Sequence, residues 1–423
     1  MNESDFCSRY TNVVTRLRKK VKSGSKVRVC FSVIYDSVFP AENVFKAMLN
    51  DRVFEPFILV VPDTTRGESN MLYQMNKTYK TFSAKYKNVY HSHDFERKVF
   101  TDWSDRMDIC FFANPYDCMT HSFYSVKYLS DKVFCIHIPY GYSGHLNYNL
   151  NVVYQMEEYS TFHKIFIENT NVYELIKKYQ KYPVNNLEIV GYPKMDSIAY
   201  LKAEKPDRPL IILAPHHTVR KIPGCLNISN FLRLSEFYLE LPGKYPQIDF
   251  VFRPHPLLFV TLSASDLWGK EKVDEYIAKI KTIPNMQYQE GGDYFETFAK
   301  SSALIHDCGS FFAEYFYFDK PQCYILESDK KIQSEFSEFG RLMMDSVYKA
   351  YTKEDIENFI NDVVIKQNDF MRNERQVFAK NNIMTNHPNV SKLIVKSLKE
   401  ELGWGICCIG MLKNLLKRKS HIL

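Results

Sequence analysis

Apolar and polar positions alternate along this chain in two distinct periods, and the periods take turns. Lys26 to Ile34 alternates and then becomes continuously apolar, the pattern of a first buried strand. Ser37 to Asn50 follows with helical spacing at Val38, Val44, Phe45, Met48 and Leu49. Pro56 to Val61 is a second apolar run, closed by Pro62-Asp63, and Asn70 to Phe82 is helical again. Further strands are predicted at Lys87 to His91, Met107 to Phe112, Lys132 to Ile138, Lys164 to Ile167 and Leu187 to Val190, with a helix at Tyr124 to Leu129. Apolar runs without internal alternation, separated by helices, define a doubly wound parallel sheet.

The pattern then breaks at Lys202-Ala203-Glu204-Lys205-Pro206-Asp207-Arg208-Pro209, a charged, proline-bearing linker, and starts again. Strands are expected at Leu210 to Ala214, Asp249 to Phe252, Met286 to Gln289, Ala303 to Ile305 and Gln322 to Leu326. Helices are expected at Ile228 to Tyr238, Val273 to Lys281 and Tyr294 to Ala299, with Glu354 to Val364 and Asp369 to Ala379 closing the fold. The resulting class is α/β, two Rossmann-like domains facing across a cleft. A basic N-terminal helix spans 1–25, an acceptor-side domain 26–203, a nucleotide-donor domain 204–372, and closing helices with a basic tail 373–423.

Both ends are basic. Arg16, Arg18, Lys19, Lys20 and Lys22 read as a solvated terminal helix. At the other end, Leu402, Trp404, Ile406, Cys407, Ile409, Met411, Leu412, Leu415 and Leu416 are interleaved with Lys413, Lys417, Arg418 and Lys419. That mixture fits a helix lying in an anionic membrane surface, or one docked on the core with a frayed basic end.

Composition narrows the class. The 423 residues are 45% hydrophobic and 25% charged, enough for large cores, and the net charge of +6 lacks the dense basic face of a nucleic-acid binder. The 29 Tyr exceed ordinary core needs and suit clefts that handle rings and sugars. Ten Cys without a C-x-x-C pair, several inside apolar runs, indicate buried thiols in a reducing compartment. The start of the chain shows no signal peptide, and no apolar run approaches the ~20 residues that span a bilayer.

Candidate chemistry gathers just after strands, where open parallel sheets bind ligands. In the second half the clusters are Ala214-Pro215-His216-His217-Thr218, Phe252-Arg253-Pro254-His255-Pro256, Gly291-Gly292-Asp293-Tyr294 and His306-Asp307-Cys308-Gly309-Ser310. In the first half, His137-Ile138-Pro139-Tyr140-Gly141-Tyr142-Ser143-Gly144-His145 follows a strand. Arg253 has the fork to clamp phosphate oxygens, His255 a donor for a phosphate leaving group. Ser310 stands where an N-cap would, and the N–H groups of Gly309 to Phe311 would complete an anion cradle. There is no phosphate-loop or dinucleotide glycine fingerprint and no zinc spacing. A nucleophilic Cys308 beside His306 is disfavoured, because neighbours on a strand face opposite ways.

In order along the chain, Gly191-Tyr192-Pro193-Lys194-Met195-Asp196, Ala214-Pro215-His216-His217, Arg253-Pro254-His255-Pro256, and His306-Asp307-Cys308-Gly309-Ser310 with Lys320-Pro321 resemble the CDP-glycerol glycerophosphotransferase family of bacterial teichoic-acid and capsule enzymes. The resemblance spans roughly 105–330. It implies a GT-B fold, metal-independent transfer with no cofactor beyond a cytidine-activated donor, a lipid-linked or polymer acceptor, no nucleic acid, and residence in the cytoplasm, peripheral on the inner membrane face. It implies a donor set of His216, His217, Arg253, His255, Asp307, Gly309, Ser310, Phe311 and Glu314, with His255 and Ser310 on the phosphates, Arg253 supporting them and Asp307 orienting the turn. Family polymerases carry a Trp-His-Gly-Thr type stretch after a first-half strand; here Pro139-Tyr140-Gly141-Tyr142 stands there. The base candidates are therefore His145, on a glycine-flanked loop expected to be mobile with a suitable imidazole, then Tyr140, then His137. Two alternatives stay open: a glycosyltransferase using a CMP-sugar or other nucleotide-sugar, and a non-catalytic binding module of the same fold.

Overall fold

The computed structural model describes residues 3–202 and 206–404. Seven parallel strands form the first sheet: β1 (Val27–Val33), β2 (Phe54–Val60), β3 (Val89–His91), β4 (Ile109–Phe112), β5 (Phe134–His137), β6 (Lys164–Ile167) and β7 (Leu187–Ile189), in the order β3-β2-β1-β4-β5-β6-β7. Six form the second: β8 (Leu210–Ala214), β9 (Asp249–Phe252), β10 (Met286–Tyr288), β11 (Ala303–His306), β12 (Gln322–Ile325) and β13 (Tyr348–Ala350), in the order β10-β9-β8-β11-β12-β13. Each order runs outward from its first strand and then jumps back past it. The direction of winding reverses between β1 and β4 in one half and between β8 and β11 in the other. Such switch points open a crevice at the C-terminal strand ends, because successive loops there turn to opposite faces.

Helices cover both faces of each sheet, so the central strands are buried throughout. Side chains alternate across the first sheet. Val27, Val29, Phe31 and Val33 share a core with Ile109, Phe111, Phe134 and Ile136, while Cys30, Cys110 and Cys135 lie in one row on the other face. Helix α1 (Glu3–Lys22) corrects the expectation of a solvated terminal helix. Its stripe of Phe6, Val13, Val14, Leu17 and Val21 is buried, and the polar and charged side faces water.

The last described helix returns to the first half. Helix α2 (Val390–Glu401) packs Val390, Ile394 and Leu398 into the first-half core. Leu402 is buried there as well, and Trp404 is half-buried against the same core, so these two of the expected lipid-facing residues dock on the protein. The remainder of the proposed membrane helix lies outside the described residues. No helix among them is long and apolar enough to cross a membrane.

Candidate functional site

The second-half motifs meet because their strands are adjacent and in register. Leu213 pairs with Phe252 and Ala214 with His306. The ladder continues past the strands: the Arg253 N–H donates to the Leu213 carbonyl, and the His255 N–H to the Pro215 carbonyl, both at 2.9 Å. His216, His217 and His255 are thereby clustered at the switch point, tilted or edge-on to one another with ring centroids 4.2–4.9 Å apart. Asp307 ties the neighbouring loop in. Its buried carboxylate accepts from the His216 N–H at 2.6 Å and from the backbone and side chain of Asn230. Burial pushes Asp307 up to about 7 against those hydrogen bonds.

The three imidazoles are neutral at physiological pH. Burial, then repulsion from His255 and His217, holds His216 well below the usual imidazole range. Burial takes His217 to about 4 and His255 to about 3, with Arg66 and, for His255, His217 adding to it. Their tautomers follow from local turns. The Leu257 N–H donates to His255 Nδ1 at 3.1 Å, and the Thr218 N–H approaches His216 Nδ1 at 3.4 Å. The Thr218 hydroxyl accepts from the Ile228 N–H at 3.2 Å, leaving its own proton for His216 Nδ1 at 3.0 Å. A neutral ring whose Nδ1 accepts carries its proton on Nε2, so His216 and His255 are fixed as Nε2–H donors. One ring nitrogen from each of the three lies within 4.8 Å of the others, a spacing that also allows a metal ion. Neutral donors at a strand end are instead what an oxyanion needs.

The turn after β11 differs in detail from expectation. Cys308 occupies the N-cap position of the short helix Gly309–Glu314, and Ser310 is already its second residue. Gly309 sits in a tight approach rather than an unusual turn: a Cβ there would lie 3.2 Å from the end of the Leu146 side chain. Burial pushes the Cys308 thiol up to about 11, which suits no nucleophile. Phe311 packs on Tyr294 with centroids 4.7 Å apart.

Two expected donor ligands are committed elsewhere. Arg253 is buried and donates to Gln289 Oε1 at 3.0 Å and to the Gly291 and Gly292 carbonyls, so its fork braces the glycine loop instead of clamping phosphate. Glu314 is fully buried and joined to Lys194 Nζ at 3.0 Å and to the Tyr294 hydroxyl. Lys194 belongs to the first-half Gly-Tyr-Pro-Lys-Met-Asp motif, and every polar member of that motif makes a long-range join. The Tyr192 hydroxyl donates to the Tyr140 carbonyl at 3.1 Å, and Asp196 accepts from the Val390 and Ser391 N–H groups that open α2. Gly191, at φ +104°, passes so near Thr385 that a Cβ would lie 2.2 Å from its carbonyl oxygen. Lys194 alone carries the motif across to the second half, while Tyr192, Asp196 and Gly191 tie it to the Tyr140 loop and to the closing segment docked on the first half, roles its sequence alone does not signal.

The base candidates separate sharply. His137 is buried under Phe162, stacked at 5.0 Å, with Nδ1 3.0 Å from the Phe112 carbonyl, and burial takes it to about 4. His145 is not on a mobile loop. Its carbonyl accepts from the Ser337 N–H at 3.0 Å, the Gly144 carbonyl accepts from the Ser337 hydroxyl at 2.6 Å, and Leu146 bridges to Phe336. The His145 ring is 2% exposed, approaches the Ser143 and Gly309 backbone without closing a hydrogen bond, and is pushed down to about 4 by burial. Tyr140 alone is open to the cleft, 47% exposed, with Gly141 placed against Ser310.

Two sheets of this order, their switch points facing one another, are the GT-B class. No protein-family model matches the chain, and no curated protein matches its sequence. Solved structures match it over most of its length. The UDP-bound MnaA of S. aureus aligns with 89% of this chain and 97% of its own at a TM-score of 0.56 and 15% identity. The UDP-GlcNAc 2-epimerase of Neisseria meningitidis bound to UDP-GlcNAc covers 89% and 100% at 0.53 and 14%. A variant of the wall teichoic acid polymerase TagF covers 94% and 98% at 0.52 and 13%. At these identities the likeness is one of fold.

Proposed function

We propose that this chain is a nucleotide-dependent transferase of bacterial cell-surface polymer synthesis. In this reading it moves glycerophosphate, or a related phosphoalditol, from a CDP-activated donor to an acceptor hydroxyl, and CMP leaves. The observation that carries the reading is the cluster of His216, His217 and His255, neutral rings at a switch point, two of them fixed as Nε2–H donors. Such donors suit the charge that develops on a departing phosphate in a water-poor site. Phosphoryl transfer passes through a loose transition state, so positioning and charge stabilisation weigh more than a strong base. That fits a cleft where the exposed candidate is Tyr140 and the imidazoles of His137 and His145 are sealed. TagF and its CDPG-soaked form share the fold, which adds support.

A second reading is favoured by the same sealed imidazoles: transfer or isomerisation of a nucleotide-sugar, which would use the donor site without a first-half histidine. Structures with UDP and UDP-GlcNAc share the fold too. Thermal shift against CDP-glycerol, CDP-ribitol, CMP-sugars and UDP-GlcNAc separates the two, since a ligand that binds only the native state raises its stability. Stabilisation by CDP-glycerol, with CMP release on adding a lipid-linked acceptor, is expected. A shift with UDP-GlcNAc alone selects the second reading, and binding without turnover selects a non-catalytic module.

We also place the protein at the inner membrane face through Lys413, Lys417, Arg418 and Lys419 with their apolar neighbours. Deleting residues 406–423, which spares docked Leu402 and Trp404, should abolish co-sedimentation with anionic vesicles at low salt. Equal sedimentation of both forms rejects the placement.

A further inference from the structure

The donor imidazoles all come from the second half, and a GT-B cleft has two sides. At the C-terminal edge of the first sheet, the loop after β2 carries Arg66, whose charge is felt by His217 and His255. Asp63 on that loop is 3% exposed, and its carboxylate gathers the Tyr35 hydroxyl, the Thr65 N–H at 2.9 Å, the Thr65 hydroxyl at 2.5 Å and Arg66 Nε at 3.1 Å. Tyr35 follows β1, the strand at the switch point of the first sheet. Arg66 is therefore held through one nitrogen, at the crevice of the first half. Its two terminal Nη groups donate to no protein atom among the described residues, and the side chain is 42% exposed. A purely structural pair would close the fork on the carboxylate. Here the carboxylate is already supplied by Tyr35 and Thr65, and the open end of the fork is left free.

We propose that Arg66 is a donor-binding residue contributed by the first half, whose free Nη groups take the oxygens of the phosphate farther from the nucleoside while His216, His217 and His255 take those nearer to it. The assignment rests on the reading of a nucleotide-activated donor. A guanidinium fork matches two phosphate oxygens at once, which an ammonium does not. The Arg66 charge already reaches the cluster, as one of the causes that keep His217 and His255 neutral. An arriving diphosphate would lie between the cation and the imidazoles, answering both. A nucleoside monophosphate, held by the second half, would not extend to Arg66.

The test is calorimetric binding of CDP, UDP, CMP and UMP to the full chain and to Arg66→Gln and Arg66→Lys, each confirmed folded by its melting transition. Arg66→Gln is expected to weaken the preferred diphosphate on the order of 10- to 100-fold, the loss of a charge-assisted pair, and to leave the monophosphate within about 2-fold. Arg66→Lys keeps the charge without the fork and should fall between. Independently of binding, imidazole titration by NMR should show His217 and His255 moving up in Arg66→Gln, because a neighbouring cation has been removed. Unchanged diphosphate affinity in Arg66→Gln, with affinity lost in His255→Ala, overturns the role of Arg66 and leaves the donor site standing. If the parent binds neither CDP nor UDP, the donor reading fails and this assignment falls with it.

Discussion

The two edges of the cleft are made from the same kind of sheet and treated in opposite ways. On the second-half edge, backbone hydrogen bonds extend the β8–β9 ladder by two residues and set three imidazoles side by side at the crevice. On the first-half edge, the loop from Tyr140 to His145 is drawn down onto the second half, pinned by Ser337 and bridged through Leu146. One edge is therefore a preformed set of donors. The other is a joint, offering the exposed Tyr140 and the open fork of Arg66. In the proposed reading, an activated donor is met by fixed dipoles, which cost no reorganisation at the moment of reaction. The joint fixes how far apart the two edges stand.

The largest effect is expected from breaking the joint. Lys194 and Glu314 come from opposite halves, and Glu314 is fully buried. Removing the lysine strands a buried carboxylate, so Lys194→Met should lower stability by about 3–5 kcal/mol. The double variant Lys194→Met with Glu314→Gln should recover most of that in denaturant melts. Equal stability of Lys194→Met and parent would mean that the clamp holds nothing. On the open edge, His255→Ala should reduce turnover on the order of 100-fold while the fold persists, the usual loss for one charge-stabilising donor. Near-normal release of CMP or UDP by that folded variant would remove His255 from the donor set.

This contrast explains what could be read from the sequence. Fully buried parallel strands appear as apolar runs ended by proline or glycine, so most of the strands and the placing of His216, His217 and His255 just after them were legible. Three-residue Tyr348–Ala350, half-exposed, leaves no such run. The helix Thr170–Tyr179 was missed although Asn169 caps it, its side chain accepting from the Val172 N–H at 2.9 Å. In helix α1 the clustered charges are the stronger sequence signal, and the apolar stripe of Val13, Leu17 and Val21 that docks it is the weaker. At the site, residue type showed what Arg253 and Glu314 can do but not what already occupies them, because Gly291 and Lys194 are distant in sequence. Glycines around His145 suggested mobility. They serve contact instead: at Gly144, φ +83°, a Cβ would lie 2.8 Å from the Val172 side chain.

A smaller effect sharpens the difference between the edges through pH. His145 is buried and neutral, with its imidazole at about 4 in the folded chain against ~6.5 when unfolded. The unfolded state thus binds the extra proton, and stability present above pH ~6.5 is lost as pH falls toward 4. At pH 5 that loss is about 2 kcal/mol for this one ring. His145→Leu should shrink the difference in unfolding free energy between pH 7.5 and pH 5 by that amount, and leave the acidic limb of the pH–rate profile in place. A catalytic base on a mobile loop would give the reverse, an unchanged acid stability and a vanished limb.

The smallest expected effect is none, and it tests what the open edge is for. Three histidines within 4.8 Å are also the start of a metal site. A ligating Nε2 must be unprotonated, which places the proton of a neutral ring on Nδ1, and metal-bound histidines usually donate that N–H to an acceptor. His255 Nδ1 instead accepts from the Leu257 N–H, and His216 Nδ1 from Thr218, so a metal on the two Nε2 atoms would cost both turns their hydrogen bonds. A phosphate costs neither, because it takes the Nε2–H groups as they stand. Exhaustive chelation should then leave the melting temperature and donor affinity unchanged, and stoichiometric Zn²⁺ should give no stabilisation. One metal ion per purified chain, lost together with donor binding on chelation, would turn the cluster from an anion cradle into a metal centre.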